Sequence, residues 1–331
     1  MASAGLSARA ALDPRRDRHR RFALGAAVLA ISVCLLAGRP GLGAQLVLLA
    51  AAVAVLGLPH GALDLPLARE AFRGRLGPAW LPLFGASYLG AAGAVLAGWA
   101  VAPVATLVAF LAVSALHFGW GDAEEAGRWR AADAVARGLL PVLLPGLFHP
   151  GETGLLFAWL TGTAPEATEV WTATAARALA APWAALACAV TVRAAARGEG
   201  SAAAEIPVLA LAFAVLPPLL AFGVYFCLFH APRHLIEVSA GGTPVRDLLR
   251  AAVPSTLLAL ALAAAGWFWL RPEALPAGPA LLRVLFWGLA SLTAPHMILA
   301  AVLSAPVRGP SGAPRAPGAT RAAGVRPGRK C

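Results

Sequence analysis

Charged side chains are scarce in this chain. They make up 13% of its 331 residues, while 59% are hydrophobic; a soluble globular protein carries about 25% charged residues. With a mean hydropathy of +0.72, an ordinary water-soluble fold is excluded. Cysteine is almost absent. Cys34, Cys188, Cys227 and Cys331 form no C-x-x-C pair, so neither a thiolate metal site nor a disulfide framework is indicated. Acidic residues are few, 16 against 27 Lys and Arg, for a net charge of +11. No aromatic-basic module accompanies that excess, so nucleic acid is not the partner. The short alternating segments of a membrane β-barrel are missing, as are an internal repeat, a separate soluble domain and a convincing Ser-His-Asp set.

What the chain has is a succession of apolar runs of about 17 or more residues, each long enough for a membrane helix. The reading is an all-α, polytopic transmembrane helical bundle of about eight to ten spans in the lipid bilayer. The first run is too long, and followed by too many others, for a cleaved signal peptide. Arginine crowds into Arg15, Arg16, Arg18, Arg20 and Arg21, into the tail after Pro306 and into short loops. By the positive-inside effect, both termini are expected in the cytoplasm, with the protein in the cell inner membrane. Three parts follow: a basic disordered N-terminus over 1–21, a transmembrane catalytic domain over 22–305, and a disordered basic tail over 306–331.

Spans are expected at about 22–38, 42–60, 79–101, 103–118, 132–148, 170–192, 251–270 and 279–304, with the stretch 154–168 ambiguous. Between Ile206 and Ile236 the run is broken by Pro217-Pro218. One bent helix or two short ones would fit, because the residue before a proline is pushed out of the helical region. Two are preferred, since they return His230 and His234 to the side of His60 and His117.

Five of seven histidines lie in or beside apolar segments: His60, His117, His230, His234 and His296. An ionisable residue there is costly unless it has a task. His230 and His234, four apart on a helix, point the same way and can reach one atom. Any one such histidine is explained by a hydrogen bond between helices; five together, two as H-x-x-x-H, point to a metal site. Without sulfur ligands, a structural zinc site is disfavoured. Four neutral imidazoles would leave divalent iron its positive charge and open positions for dioxygen. Asp64 and Glu237 are candidates to orient a ligating imidazole, and Asp122 a weaker one. Hydrogen-bonding a helix end is an equal reading for Asp64 and Asp122. His19 is expected to be solvated in the N-terminal segment, and His149 to be a turn residue. Pro59, Pro232 and Pro295, each beside a histidine, would kink their helices and free backbone carbonyls near the site.

Gly57-Leu58-Pro59-His60-Gly61-Ala62-Leu63-Asp64, His117-Phe118-Gly119 with Gly121-Asp122 beyond, His230-x-x-Arg233-His234 and Pro295-His296-Met297 resemble the Brp/Blh family in order and spacing. These are the membrane-embedded bacterial and archaeal β-carotene dioxygenases. The resemblance runs from about residue 22 to 305. It implies Fe(II)- and O2-dependent cleavage of the central double bond of β-carotene to two molecules of all-trans-retinal, and a functional link to a retinal-binding opsin. Carried over, the Fe(2+) ligands would be His60, His117, His230 and His234, with His296 beside them. One departure is Phe229-His230-Ala231-Pro232, where many relatives have Trp-His-Ser; a hydroxyl is lost and a proline stands between two ligands. Two other classes remain open on the residues alone. A membrane desaturase or hydroxylase would use a diiron site with more histidines, including H-x-x-H-H pairs. A transporter, or a haem-carrying electron carrier, would use paired histidines on facing helices.

Overall fold

The computed structural model describes residues 14–270 and 276–304. Among these residues every regular element is helical. In chain order they are α1 (Pro14–Ala37), α2 (Leu42–Ala52, a π-helical turn Val53–Gly57, then Leu58–Gly61), α3 (Asp64–Leu76) and α4 (Trp80–Val101). They continue with α5 (Pro103–Asp122), α6 (Arg130–Phe148), α7 (Pro150–Thr161), α8 (Pro165–Ala196) and α9 (Gly200–Val215). The last three are α10 (Pro218–Ser239), α11 (Val245–Leu270) and α12 (Ala277–Ser304). Prolines open α5, α7, α8 and α10, where their missing N–H costs nothing. Gly162, with φ of 74°, ends α7 in the left-handed region that a side chain would strain.

Among the described residues, eight helical stretches are long and apolar enough to cross a membrane. One of them, Leu42–Val101, spans 60 residues, far more than the roughly 20 that one crossing needs. It is divided by a turn at Ala62–Leu63 and a 3-10 turn at Gly77–Ala79. Leu29, Leu36, Leu258, Phe268 and Trp269 stand exposed on the outside, as lipid-facing side chains do.

Side-chain contacts show which helix ends share a face. At the start of α1, Arg16 donates to Glu237 near the end of α10 at 2.8 Å. Arg20 reaches Glu124 just after α5, and Glu205 near the start of α9 at 3.0 Å. At the other end, Arg39 after α1 meets His149 between α6 and α7 at 3.0 Å. Glu205 also takes Arg233, whose partner Asp122 holds His230, and the rings of His230 and His296 both pack on His117, so the start of α1 and the C-terminal half of α12 lie toward the same, arginine-rich face.

Several expectations need correcting. The first helix begins at Pro14, not near residue 22, and Arg16 and Arg20 are buried in it. Neutralisation by Glu124, Glu205 and Glu237 makes that burial tolerable. Residues 14–21 are therefore helical, while 1–13 and 306–331 lie outside the described residues. His19 is half-buried on α1, where its ring meets the carbonyl of Leu228. That is the carbonyl four residues before Pro232, which loses its helical partner to the proline ring. Between the second and third expected spans, Arg69, Arg73 and Arg75 stand not on a loop but on the helix α3. The ambiguous stretch resolves into α7 and the start of α8, and Pro217 does separate two helices, α9 and α10.

The hairpin of α5 and α6 is the tightest contact. A Cβ on Gly138 would fall on the carbonyl oxygen of Ala115, and one on Gly119 on that of Ala134. Small residues are what let membrane helices approach so closely. Because Gly119 follows His117 by two residues, this contact also sets how far His117 projects toward the bundle interior.

Candidate metal centre

The π-helical turns sit where the chemistry is. In α2 the widened turn ends at Gly57, and the next segment carries Pro59 and His60. In α10 it covers Val224–His230, ahead of Pro232 and His234. A π-turn accommodates a proline that cannot supply its N–H, and it releases carbonyls for side chains. The ring Nδ1 of His60 lies against one of them, Gly57 O.

All five expected histidines converge. Ring centroids of His60 lie 5.7 Å from His230, 5.8 Å from His234 and 5.8 Å from His296. His117 is 4.8 Å from His230 and 5.2 Å from His296, and His234 is 5.4 Å from His296. One ligand atom from each of His60, His117 and His296 falls within 4.8 Å of the others. The Nε2 atoms of His117 and His230 face each other at 3.1 Å. His296, expected beside the set, is thus level with it.

Outside contacts decide which nitrogen turns inward. His60 Nδ1 is directed at Gly57 O, His230 Nδ1 at Asp122 Oδ1 (3.2 Å) and His296 Nδ1 at Asp64 Oδ1 (2.7 Å). An Nδ1–H donated to such acceptors leaves the Nε2 lone pair free for a ligand. Among the described residues His234 Nε2 is buried with no hydrogen-bond partner, an orphan of the kind native structures keep only with a reason. An all-nitrogen set of neutral imidazoles suits iron, copper or zinc, so these residues fit a metal ion.

The candidate carboxylates divide differently from expectation. Asp64 and Asp122 each orient a histidine. Asp64 serves His296 and not its sequence neighbour His60, because a turn at Ala62–Leu63 interrupts the helix between them. Glu237 orients none: its partner is Arg16 at 2.8 Å, drawn from α1. His149 is a turn residue, with Nε2 toward Phe213 O at 3.0 Å. Burial first, and then the Arg39 guanidinium, lower its pKa.

Sequence reading missed the charged layer behind the histidines. Arg233 pairs with Asp122 at 3.1 Å and donates to Glu205 at 2.8 Å. Glu205 also takes Arg20 and Arg137, and Arg137 is held by Asp133 at 2.7 Å. Lone charges within apolar runs, at Glu205, Arg137 and Arg233, were the available signal.

Beside the cluster lies a cavity of about 290 Å³. His60, His117 and His296 reach it, and its walls are otherwise chiefly apolar, among them Phe118, Phe222, Phe226 and Leu262. Phe222 and Phe226 stack with centroids 5.4 Å apart.

Fold and site together define a helical, polytopic membrane protein whose histidine cluster could hold a metal ion beside an apolar cavity. The sequence profile described as beta-carotene 15,15'-dioxygenase matches residues 51–304. The chain belongs to that family, and it is a carotenoid-cleaving dioxygenase. It is 32% identical to the probable beta-carotene 15,15'-dioxygenase Blh of Halobacterium salinarum, over 87% of this chain and 94% of the relative. It is 29% identical to the beta-carotene 15,15'-dioxygenase of an uncultured marine bacterium, 66A03, over 75% of this chain and 90% of that one. No solved structure matches the chain.

Proposed function

We propose that the protein cleaves the central double bond of β-carotene with Fe(II) and O2, giving two molecules of all-trans-retinal. The observation that carries this reading is the convergence of five imidazoles inside a membrane bundle, three of which, His60, His117 and His296, line an apolar cavity. His60, His117, His230 and His234 would hold Fe(2+), with His296 beside them. Bound iron would supply the redox chemistry that lets dioxygen react with a conjugated double bond.

The chain's own residues do the rest. Gly57 O and Asp122 hold the rings of His60 and His230 with their outer nitrogens engaged. Phe118, Phe222 and Phe226 give the cavity flat apolar walls beside the histidines, suited to a polyene and unsuited to water. Placement along those walls would select which bond meets the histidines, since positioning in a bound geometry accounts for much of such selectivity. A side-chain nucleophile is not required.

Co-expression in a β-carotene-producing host, with products separated by chromatography, tests the reading. Retinal is the expected product. Accumulation of the protein in the membrane without retinal, or with longer apocarotenals instead, would overturn it. The aldehyde product makes a retinal-binding opsin the natural consumer, and a parallel co-expression with an apo-opsin would show its pigment band if so.

We also place the protein in the cell inner membrane with both termini cytoplasmic, because the arginine-rich face carries the start of α1 and the C-terminal half of α12. A reporter active only in the periplasm, fused after the last residue, is expected to stay silent. Activity from that fusion would invert the orientation.

A further inference from the structure

Tyrosine occurs twice in the chain, at Tyr88 and Tyr225, and both residues do the same thing. Tyr225 Oη donates to Asp122 Oδ2 at 2.7 Å, while Oδ1 of that aspartate accepts from His230 Nδ1 at 3.2 Å. Tyr88 Oη donates to Asp64 Oδ2 at 3.0 Å, while Oδ1 of that aspartate accepts from His296 Nδ1 at 2.7 Å. In each case one carboxylate oxygen takes the phenol and the other takes the imidazole. The first set joins α5 to α10; the second joins α3, α4 and α12. No sequence spacing relates them.

A carboxylate as buried as Asp64 or Asp122, at 4% and 1% exposure, is costly unless its oxygens are matched. Arg233 helps Asp122; Asp64 relies on its tyrosine and its histidine. The geometry has one further effect. A phenol on one oxygen stops the carboxylate from rotating, so the other oxygen stays aimed at the imidazole Nδ1–H. The opposite nitrogen then keeps its lone pair inward. For His296 that inward direction is the histidine cluster, where its ligand atom lies within 4.8 Å of those of His60 and His117.

We propose that His296 is itself a metal ligand, and that Tyr88–Asp64 and Tyr225–Asp122 are matched pairs of positioning residues that aim His296 and His230 at the ion. This rests on the metal reading above and extends its ligand set. Tyr88 also lines the cavity, so turnover alone would mix substrate effects with metal effects; metal binding is the readout needed.

The full chain, purified in detergent and stripped of metal, is titrated with cobalt(II), whose visible bands report the number and arrangement of nitrogen donors. His296→Ala is expected to weaken cobalt binding at least tenfold and to change the bands at saturation. Tyr88→Phe and Tyr225→Phe, which remove one hydroxyl each, are expected to weaken binding on the order of 10-fold, the lower end for losing an outer-shell partner. Each should also shift the bands of saturated, folded protein. A hydroxyl that served the fold alone would lower thermal stability and leave those bands unmoved. Asp64→Asn keeps an acceptor and is expected to fall between the wild type and Asp64→Ala. Wild-type affinity and bands in His296→Ala would overturn the ligand assignment; unmoved affinity and bands in both Tyr→Phe variants would overturn the positioning pairs. A wild-type chain that binds no cobalt would sink the metal reading itself, a result separate from either.

Discussion

Replacing His230 or His234 by alanine is expected to lower metal content and retinal yield together, at least tenfold for each variant. Even partners outside a metal's ligands typically cost on the order of 10–100-fold when removed, so a ligand should cost no less. The two residues arrive by different routes. His230 is fully buried, tied through Nδ1 to Asp122 and facing His117 across 3.1 Å. His234 brings a buried Nε2 that no side chain or carbonyl satisfies. Such an orphan costs a fold about 1–3 kcal/mol, so His234→Ala sacrifices no hydrogen bond at that nitrogen. Its damage should fall on the metal and spare the assembly of the helices. Iron measured by mass spectrometry, against retinal at matched expression, separates the cases. His149→Ala is the control, since that ring bonds Phe213 O and Arg39 at the far end of the bundle. It should lose some stability and keep its iron per folded molecule. If His230→Ala and His234→Ala both retain full iron and full turnover, the H-x-x-x-H pair is helix packing and the proposed centre is wrong.

The largest expected effect on stability lies one layer back. Glu205 is 1% exposed and accepts from Arg20, Arg137 and Arg233. Glu205→Ala would take away the one carboxylate that all three guanidiniums share, leaving Arg20 to Glu124, Arg137 to Asp133 and Arg233 to Asp122. Breaking a buried pair by removing one partner costs about 3–5 kcal/mol, and here one carboxylate serves several cations. Little of the variant should reach the membrane as folded protein, and what does should unfold in detergent at a clearly lower temperature. Glu205→Gln keeps the shape and an acceptor but not the charge, and is expected to fall between. Because Arg233 also holds Asp122, surviving protein should bind metal less tightly. Wild-type amounts and wild-type unfolding of Glu205→Ala would show that Glu124, Asp133 and Asp122 suffice for the three arginines.

How much of this was legible in the sequence depends on how local the cause is. The helical class, the break at Pro217 and the gathering of five histidines were readable, because hydropathy, proline and rare residues act at their own positions. The start of α1 was not. A hydropathy window counts Arg16 and Arg20 as solvent-facing, and nothing nearby says that Glu237 and Glu205 will reach them. Glu237 misled for the same reason: its spacing from His234 suits a shared helix face, yet a guanidinium from α1 claims the carboxylate. Asp64 misled in the opposite sense. Four residues after His60, it would share that histidine's face on a continuous helix, but the turn at Ala62–Leu63 hands it to His296.

The clasp between α1 and the rest also dictates an order of events at the ribosome. Arg20 waits for Glu124, 104 residues later, and for Glu205, 185 later; Arg16 waits 221 residues for Glu237. At about 5–20 residues per second, roughly five to twenty seconds pass before Glu124 can take Arg20 and Arg16, and roughly ten seconds to under a minute before Glu205 and Glu237 complete the set. Until then they belong at the wet edge of the bilayer, and their neutralisation is complete only when α9 and α10 emerge. The earliest segment made is thus among the latest to be locked. A nascent chain halted before Glu205 would leave both arginines sharing Glu124, one carboxylate in place of the three that hold them in the finished protein.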